Sequence, residues 1–266
     1  MSSEPSESSK TGTKRPPRAG RRLKRGHKAE AEAQAQAQAE AQAAAPAPVR
    51  KRAVKSVRQL DREAFAQVDR MIASFAQRRF GGLMPSVARG FLGGARSEAE
   101  TKLPEVQQAF ALFFVYGYRD NAGRRIIDMF REYGLKLDRE QGRVLDALER
   151  TRLVVFAVEG KNEANKQIVG RDLLRGQPMT GLDHNLFSKV GRGDVVLAYM
   201  FPVGDMWRPL GMATMVRRAR VRQFDQGLGQ LAREQGFAAA ELGERRPGQL
   251  FWLAYRVAEG VVRSKA

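Results

Sequence analysis

Near its middle the chain reads Leu153-Val154-Val155-Phe156-Ala157-Val158, an apolar run rich in β-branched and aromatic side chains. Similar runs follow at 166–170, 179–183, 194–202 and 207–216, with Gly, Pro, Asn and Asp between them. Runs of this composition between turn residues predict short β-strands. Because the spacings leave no room for crossover helices, we expect about five strands in an antiparallel meander that closes into a small barrel or curled sheet. A parallel α/β architecture is not expected.

Helical patterns flank this β unit on both sides, so the predicted fold class is α+β. Apolar residues recur at helical spacing from Val57 to Phe80, and a Phe-rich helix is predicted to begin at Pro104 and run through Tyr118. Further helices are predicted at about 121–133, from Asp138 to near Arg152 with a capping box to Gln141, and at 221–236 and 250–262. Glycines leave residues 80–96 undecided between a helix and a docking segment. The predicted divisions are 1–56, 57–152 and 153–266.

The first 56 residues differ in composition from the rest of the chain. They carry 13 Lys and Arg against 5 Asp and Glu and hardly any large apolar side chain, so burial cannot stabilise an ordered structure. We predict a disordered basic arm at 10–28, followed by a spacer at 29–45 that contains only Ala, Glu and Gln.

The whole chain of 266 residues has 47 Lys and Arg against 29 Asp and Glu, a formal net charge of +18. Charge of this size concentrates polyanions near a protein, and the planar guanidinium of arginine suits phosphate. The expected partner is therefore nucleic acid, DNA or RNA, bound by charge. The candidate nucleic-acid-binding residues lie in the arm and in one cluster on the folded body: Lys14, Arg15, Arg18, Arg21, Arg22, Lys24, Arg25, Arg217, Arg218, Arg220 and Arg222.

The chain has no aromatic-basic signature such as an RRM core and no helix-turn-helix spacing, so binding should not depend on nucleotide sequence. Two other interpretations remain open. The arginines could simply solubilise the surface, or the protein could be an interaction or regulatory adaptor that docks a partner chain through the β unit or through residues 80–94, with the tail as a solubilising tether.

Composition argues against most enzyme chemistry. The chain has no cysteine and two histidines, His27 and His184, so thiol catalysis, cysteine-ligated zinc and disulfides are excluded. His184 lies between Asp183 and Ser188, but adjacency in sequence does not make a triad, and we expect a loop or strand-edge histidine. Gly227, Gly229 and Ala232 fit a loose dinucleotide fingerprint without the strand that the motif requires. We predict no catalytic residues, metal or cofactor.

The hydropathy of the sequence indicates where in the cell the protein is located. Residues 1–10 are polar and lack the apolar core of a signal peptide, and no later stretch approaches about 20 uncharged apolar residues. We therefore expect a cytoplasmic protein without a membrane span.

Several phrases between residues 104 and 216 resemble the non-zinc body of bacterial SEC-C-motif-associated proteins of unknown function. The resemblance rests on the Phe-rich helix, on the phrase from Gly170 to Gln177, and on Gly193-Asp194-Val195-Val196-Leu197-Ala198. It implies a fold more than an activity. This chain lacks the cysteine-rich zinc motif, and Tyr199 stands where a basic residue is expected. Independently of the resemblance, residues 172–176 are predicted to form a β-turn in which Asp172 accepts backbone N–H bonds and Gly176 has a positive φ.

Overall fold

The fold is described from a computed structural model, which gives residues 62–263 of the chain. Within these residues, six α-helices precede a β-barrel: α1 (Arg62–Phe80), α2 (Met84–Leu92), α3 (Glu98–Thr101), α4 (Pro104–Leu112), α5 (Ile126–Glu132) and α6 (Arg139–Glu149). The barrel comprises β1 (Arg152–Asn162), β2 (Gln167–Asp172), β3 (Gln177–Leu182), α7 (His184–Lys189), β4 (Val195–Val203) and β5 (Met206–Val216). Three helices follow: α8 (Arg218–Gln235), α9 (Ala239–Arg245) and α10 (Pro247–Arg263). The predicted α+β class is confirmed.

The helices before the barrel follow the predicted pattern in most places. In α1 the buried side chains include Val68, Ile72 and Phe75, as the helical spacing predicts. The helix that begins at Pro104 ends in a π-helical turn, Phe113–Gly117, and Asp138 and Gln141 form the predicted capping box of α6.

One helix begins later than predicted. We expected it from about residue 121, but α5 begins at Ile126, because Asp120 organises a turn before it. The Asp120 carboxylate accepts the backbone N–H groups of Ala122 and Arg124, each at 2.9 Å, and Gly123 has a φ of 78°. An aspartate that bonds the backbone two residues on stabilises a turn in competition with a helix.

Residues 80–96 are mostly helical. A 3₁₀ turn, Gly81–Leu83, leads into α2, whose buried Phe91 stacks on Phe251 of α10 with the ring centroids 5.3 Å apart. The indole Nε1 of Trp252 donates to the Phe91 carbonyl at 2.6 Å. Phe91 therefore anchors this segment in the core of the protein, while the other residues of the segment are half-buried or exposed.

The five strands in the described part of the chain close into a barrel in the order β1-β2-β3-β5-β4. All neighbours pair antiparallel except β3 and β5, which meet in parallel at Gly181 and Trp207. The predicted barrel is confirmed, and the expectation of a purely antiparallel meander is wrong at this closing contact. With β4 beside β1, the first four strands form a Greek key. A five-stranded Greek-key barrel is the architecture of the OB-fold, which by itself assigns no function.

Strand β4 separates two hydrophobic cores. Its residues are buried along its whole length, with Val196, Ala198 and Met200 inside the barrel and Leu197 and Tyr199 against the surrounding helices. The outer core takes side chains from helices on both sides of the barrel in the sequence, so the helical segment and the β unit pack as one body.

The turn between β2 and β3 forms as predicted. The Asp172 side chain accepts the backbone N–H of Leu174 at 3.1 Å, and Gly176 has a φ of 68°. Leu174 is buried in the outer core. This turn brings Arg175 and the buried carboxylate of Asp172 to the junction of the barrel and the helices.

Two further sequence predictions concern helices. Gly227 and Gly229 lie inside α8, so the rejection of the dinucleotide fingerprint is confirmed. His184 is exposed and is the first residue of α7, where we had expected a loop or a strand edge. Within residues 62–263, every helix is too short or too polar to cross a membrane.

Candidate anion-binding site

A polar pocket of about 320 Å³ lies between the outer face of the barrel, the π-helical turn and α9. We call it the arginine pocket, after five lining residues: Arg119, Arg125, Arg150, Arg152 and Arg175. Three carboxylates also line it: Asp128, Glu149 and Glu244. The lining side chains therefore carry an excess of positive charge.

Arg125 holds the helical wall of this pocket in place. It is the N-cap residue of α5, and its guanidinium pairs with Asp128 at 2.6 and 3.0 Å. The same guanidinium donates to the carbonyls of Glu149, at 2.6 Å, and Thr151, at 2.9 Å, where α6 ends and β1 begins. Because all these bonds involve a charged donor, they are stronger than neutral hydrogen bonds and join the helical wall to the start of β1.

Asp172 holds the barrel wall of the pocket. Its carboxylate is fully buried and pairs with Nη1 of Arg175 at 3.0 Å, while Nη2 of Arg152 lies 3.7 Å away. Two guanidinium groups thus share one carboxylate, and the Arg152 guanidinium also lies over the Trp207 ring, 4.4 Å from its centroid. Burial lowers the pKa of Arg152, and the Arg175 cation lowers it further while Asp172 raises it. An added anion would relieve this repulsion.

Four buried side-chain atoms within residues 62–263 have no hydrogen-bond partner, and all belong to residues that line the arginine pocket. They are the hydroxyls of Tyr116, Thr151 and Tyr199 and the Nε of Arg152. A buried polar group without a partner costs about 1–3 kcal/mol, so such groups are rare and point to a ligand or a functional role. Their concentration in one pocket is the strongest sign of a binding site in the described part of the chain.

The two tyrosines are suited to donate hydrogen bonds. Burial raises the pKa of the Tyr199 hydroxyl, although the Arg125 and Arg119 cations act in the opposite direction. Burial also raises the pKa of Tyr116, with Asp69 adding to the shift and Arg125 opposing it. Both hydroxyls therefore keep their protons at neutral pH. Neutral donors beside guanidinium cations form a site for an oxyanion.

Glu244 of α9 stands at the edge of the pocket between two arginines. Its carboxylate oxygens lie 3.9 Å from Nη2 of Arg119 and 3.7 Å from Nη2 of Arg175. The Glu244 side chain is exposed, so these pairs are weak. An anionic ligand with better geometry would compete with this carboxylate for the same guanidinium groups.

The predicted arginine cluster lies elsewhere, at the N-terminal end of α8, where Arg217 is the N-cap residue. Arg217 donates from Nη1 to Asp194 at 3.0 Å, and the backbone N–H of Arg218 donates to the same carboxylate at 2.9 Å. Arg217, Arg218 and Arg222 are exposed, and Arg220 is half-buried. None of the four lines the arginine pocket. Arginines at a helix N-terminus oppose the helix dipole, and a bound anion would offset that cost.

Other site predictions fall outside what the structure describes. The arm residues Lys14, Arg15, Arg18, Arg21, Arg22, Lys24 and Arg25 lie beyond residues 62–263. In that range, no group of three or more His, Asp or Glu side chains could hold a metal ion.

Sequence reasoning missed the arginine pocket as a site. Its arginines come from three separate parts of the sequence, at 119–125, 150–152 and 175, so no single charge cluster marked them. Two signals were present: Asp172 in a predicted turn three residues before Arg175, and Tyr199 at a position where a basic residue was expected.

Comparison with known proteins gives a family match and no function. No curated protein and no solved structure matches the chain. Nothing in these findings links the chain to SEC-C proteins. Residues 98–222 match the model of a family described as Family of unknown function (DUF7986). The matched stretch is just under half of the chain and runs from α3 to the N-terminal end of α8. It includes all five arginines of the pocket.

Proposed function

We propose that the protein is a non-enzymatic cytoplasmic binding protein that engages nucleic acid, or another polyanion, through its phosphate groups without reading sequence. The observation that carries this proposal is the arginine pocket, where arginines outnumber carboxylates and three buried hydroxyls have no partner in the described part of the chain. A phosphate oxygen accepts hydrogen bonds from guanidinium and hydroxyl donors alike. A phosphate group therefore matches the pocket in both charge and hydrogen bonding.

The arginine cluster on α8 supports the same proposal as a second contact. Three of its four side chains are exposed at the N-terminal end of a long helix, where positive charges oppose the helix dipole. A nucleic acid backbone would neutralise several such charges at once and release the counterions condensed on it. The basic arm would add further phosphate contacts by the same mechanism.

The proposal predicts steep salt dependence for the full-length chain. Affinity for a random duplex or single strand should fall strongly between about 50 and 200 mM salt, with a log–log slope of about 0.7 to 0.9 per neutralised phosphate. Replacing the seven basic arm residues by Gln should weaken binding about equally for all nucleotide sequences and flatten that slope, because phosphate contacts carry no sequence information. Fluorescence anisotropy at several salt concentrations measures both quantities.

A matched pair of variants tests the α8 cluster. Arg218→Gln with Arg222→Gln should reduce the slope by about one to two phosphate contacts. The control, Arg139→Gln with Arg233→Gln, removes the same charge from exposed positions on α6 and α8. Equal effects of the two pairs would assign the binding to net charge alone, and no salt-dependent retention of DNA or RNA at about 50 mM would contradict the proposal.

A second candidate is the protein-interaction adaptor, and one observation favours it. A groove of about 380 Å³ between α1 and the loop after α5 is lined partly by Tyr133 and Leu135, whose exposed fractions of 48% and 39% are high for large apolar side chains. Recovery of a defined protein partner by residues 57–266, lost on Leu135→Ser, would support this alternative over nucleic acid.

The resemblance of residues 104–216 to the bodies of SEC-C-motif-associated proteins is retained as a hypothesis about the fold. It assigns no activity to the arginine pocket, because the zinc motif is absent from this chain.

A further inference from the structure

A second concave surface adjoins the arginine pocket. It measures about 590 Å³ and shares Gly117, Arg119 and Glu244 with the arginine pocket. We call it the aromatic groove, because Phe237 and Tyr118 line it. The two surfaces therefore meet along a common edge, and one ligand could occupy both.

Arginine and aromatic side chains are layered in this groove. The guanidinium carbons of Arg245 and Arg246 lie 4.9 and 5.5 Å from the centroid of the Phe237 ring, and Phe237 is half-buried. Arg246 Nε donates to Gln235 at 2.7 Å, and Arg245 Nε forms an ion pair with Glu241 at 3.0 Å, so both guanidinium groups are held in position. Nucleobases stack on aromatic rings and on guanidinium planes of this kind.

Gly117 lies at the junction of the two surfaces, where a side chain would not fit. A Cβ atom at this position would lie 2.2 Å from the Tyr199 hydroxyl and 2.9 Å from the Phe113 ring. Any other residue would therefore intrude on the buried hydroxyl that marks the arginine pocket. The backbone approaches Tyr199 closely at the point where a ligand would pass from one surface to the other.

From this geometry we infer that the ligand of the arginine pocket is a nucleotide, with its phosphate among the arginines and buried hydroxyls and its base in the aromatic groove. The inference rests on the proposed function and narrows it, because phosphate alone would use only the first surface. The nucleotide is either a free nucleoside monophosphate or the phosphorylated end of a strand, and the same groups would recognise both.

Calorimetric titration of the full-length chain with AMP, inorganic phosphate and adenosine tests the inference. Because stacking adds to the phosphate contacts, AMP should bind about 5- to 100-fold tighter than inorganic phosphate. Equal affinities for AMP and phosphate would overturn the inference while leaving phosphate binding intact. Loss of salt-dependent nucleic acid retention would instead contradict the broader proposal.

Three variants separate the two surfaces. Phe237→Leu keeps an apolar side chain but removes the ring, so it should bring AMP affinity close to that of phosphate and leave phosphate affinity unchanged. Tyr199→Phe should weaken both ligands, and Glu244→Gln should tighten both by removing a competing carboxylate. Phe65→Leu, at a half-buried phenylalanine on α1, is the matched control and should change neither affinity. An unchanged AMP affinity in Phe237→Leu would overturn the assignment of the base to the groove.

Competition between two oligonucleotides distinguishes a free mononucleotide from the phosphorylated end of a strand. A single strand with a 5′-phosphate should outcompete its 5′-hydroxyl counterpart if the site holds a strand end, and that advantage should vanish in Tyr199→Phe. Equal competition by the two strands, together with tight AMP binding, would identify a free mononucleotide as the ligand.

Discussion

Replacing Phe114 by Ala should lower the free energy of unfolding by about 3–5 kcal/mol, since it removes a large side chain and leaves a cavity. Phe114 is 2% exposed in the π-helical turn after α4, with the rings of Phe110 and Tyr118 6.0 and 6.1 Å away. For a folded body of this size the loss corresponds to a fall in melting temperature of about 6–20 °C. Urea titration and thermal unfolding measure it.

Two residues that are less buried than Phe114 provide the comparison for this prediction. Phe113 is half-buried and stacks on Phe91 with the centroids 4.9 Å apart, so Phe113→Ala should cost less, about 1–3 kcal/mol. Leu83 is exposed, and Leu83→Ala should stay within about 0.5 kcal/mol of the native chain. If Phe114→Ala unfolds at the native midpoint, the ring does not fill the core, and the aromatic stripe is a surface feature.

The strands could be predicted because their signal is local. The run from Leu153 to Val158 and the four that follow it are bounded by turn residues, and all five appear as strands. Strand β4 reads as continuously apolar because the barrel interior covers one face and the helices cover the other. The parallel contact between Gly181 and Trp207 has no local signature, since it depends on how the barrel closes.

The site was less predictable than the fold for the same reason. The α8 cluster was visible because its four arginines lie within six residues of sequence, whereas Arg119 and Arg175 come together only when the turn between β2 and β3 packs against the helices. The unpartnered hydroxyls of Tyr116 and Tyr199 depend on burial by distant elements, which no spacing rule reports. Only the turn at Asp172 was both predicted locally and used by the pocket.

Substitution of Asp172, in the turn between β2 and β3, has the second large expected effect on stability. Asp172→Ala should lower the free energy of unfolding by about 3–5 kcal/mol, because it leaves Arg175 and Arg152 without the buried carboxylate that they share. It also removes the acceptor for the backbone N–H of Leu174. Asp172→Asn retains an oxygen at this position and should cost less than Asp172→Ala. Chemical denaturation measures both.

Asp183→Ala is the matched control, since Asp183 caps α7 through one hydrogen bond to the backbone N–H of Leu186 and its loss should cost about 1 kcal/mol. A difference between the two variants in how much inorganic phosphate stabilises them would connect the turn to the pocket. If Arg152 and Arg175 face an anion site, inorganic phosphate should raise the unfolding midpoint of Asp172→Ala more than that of Asp183→Ala, because a ligand that binds only the folded state stabilises it by mass action. An equal response of the two variants would show that the shared carboxylate is structural and that these two arginines do not bind phosphate.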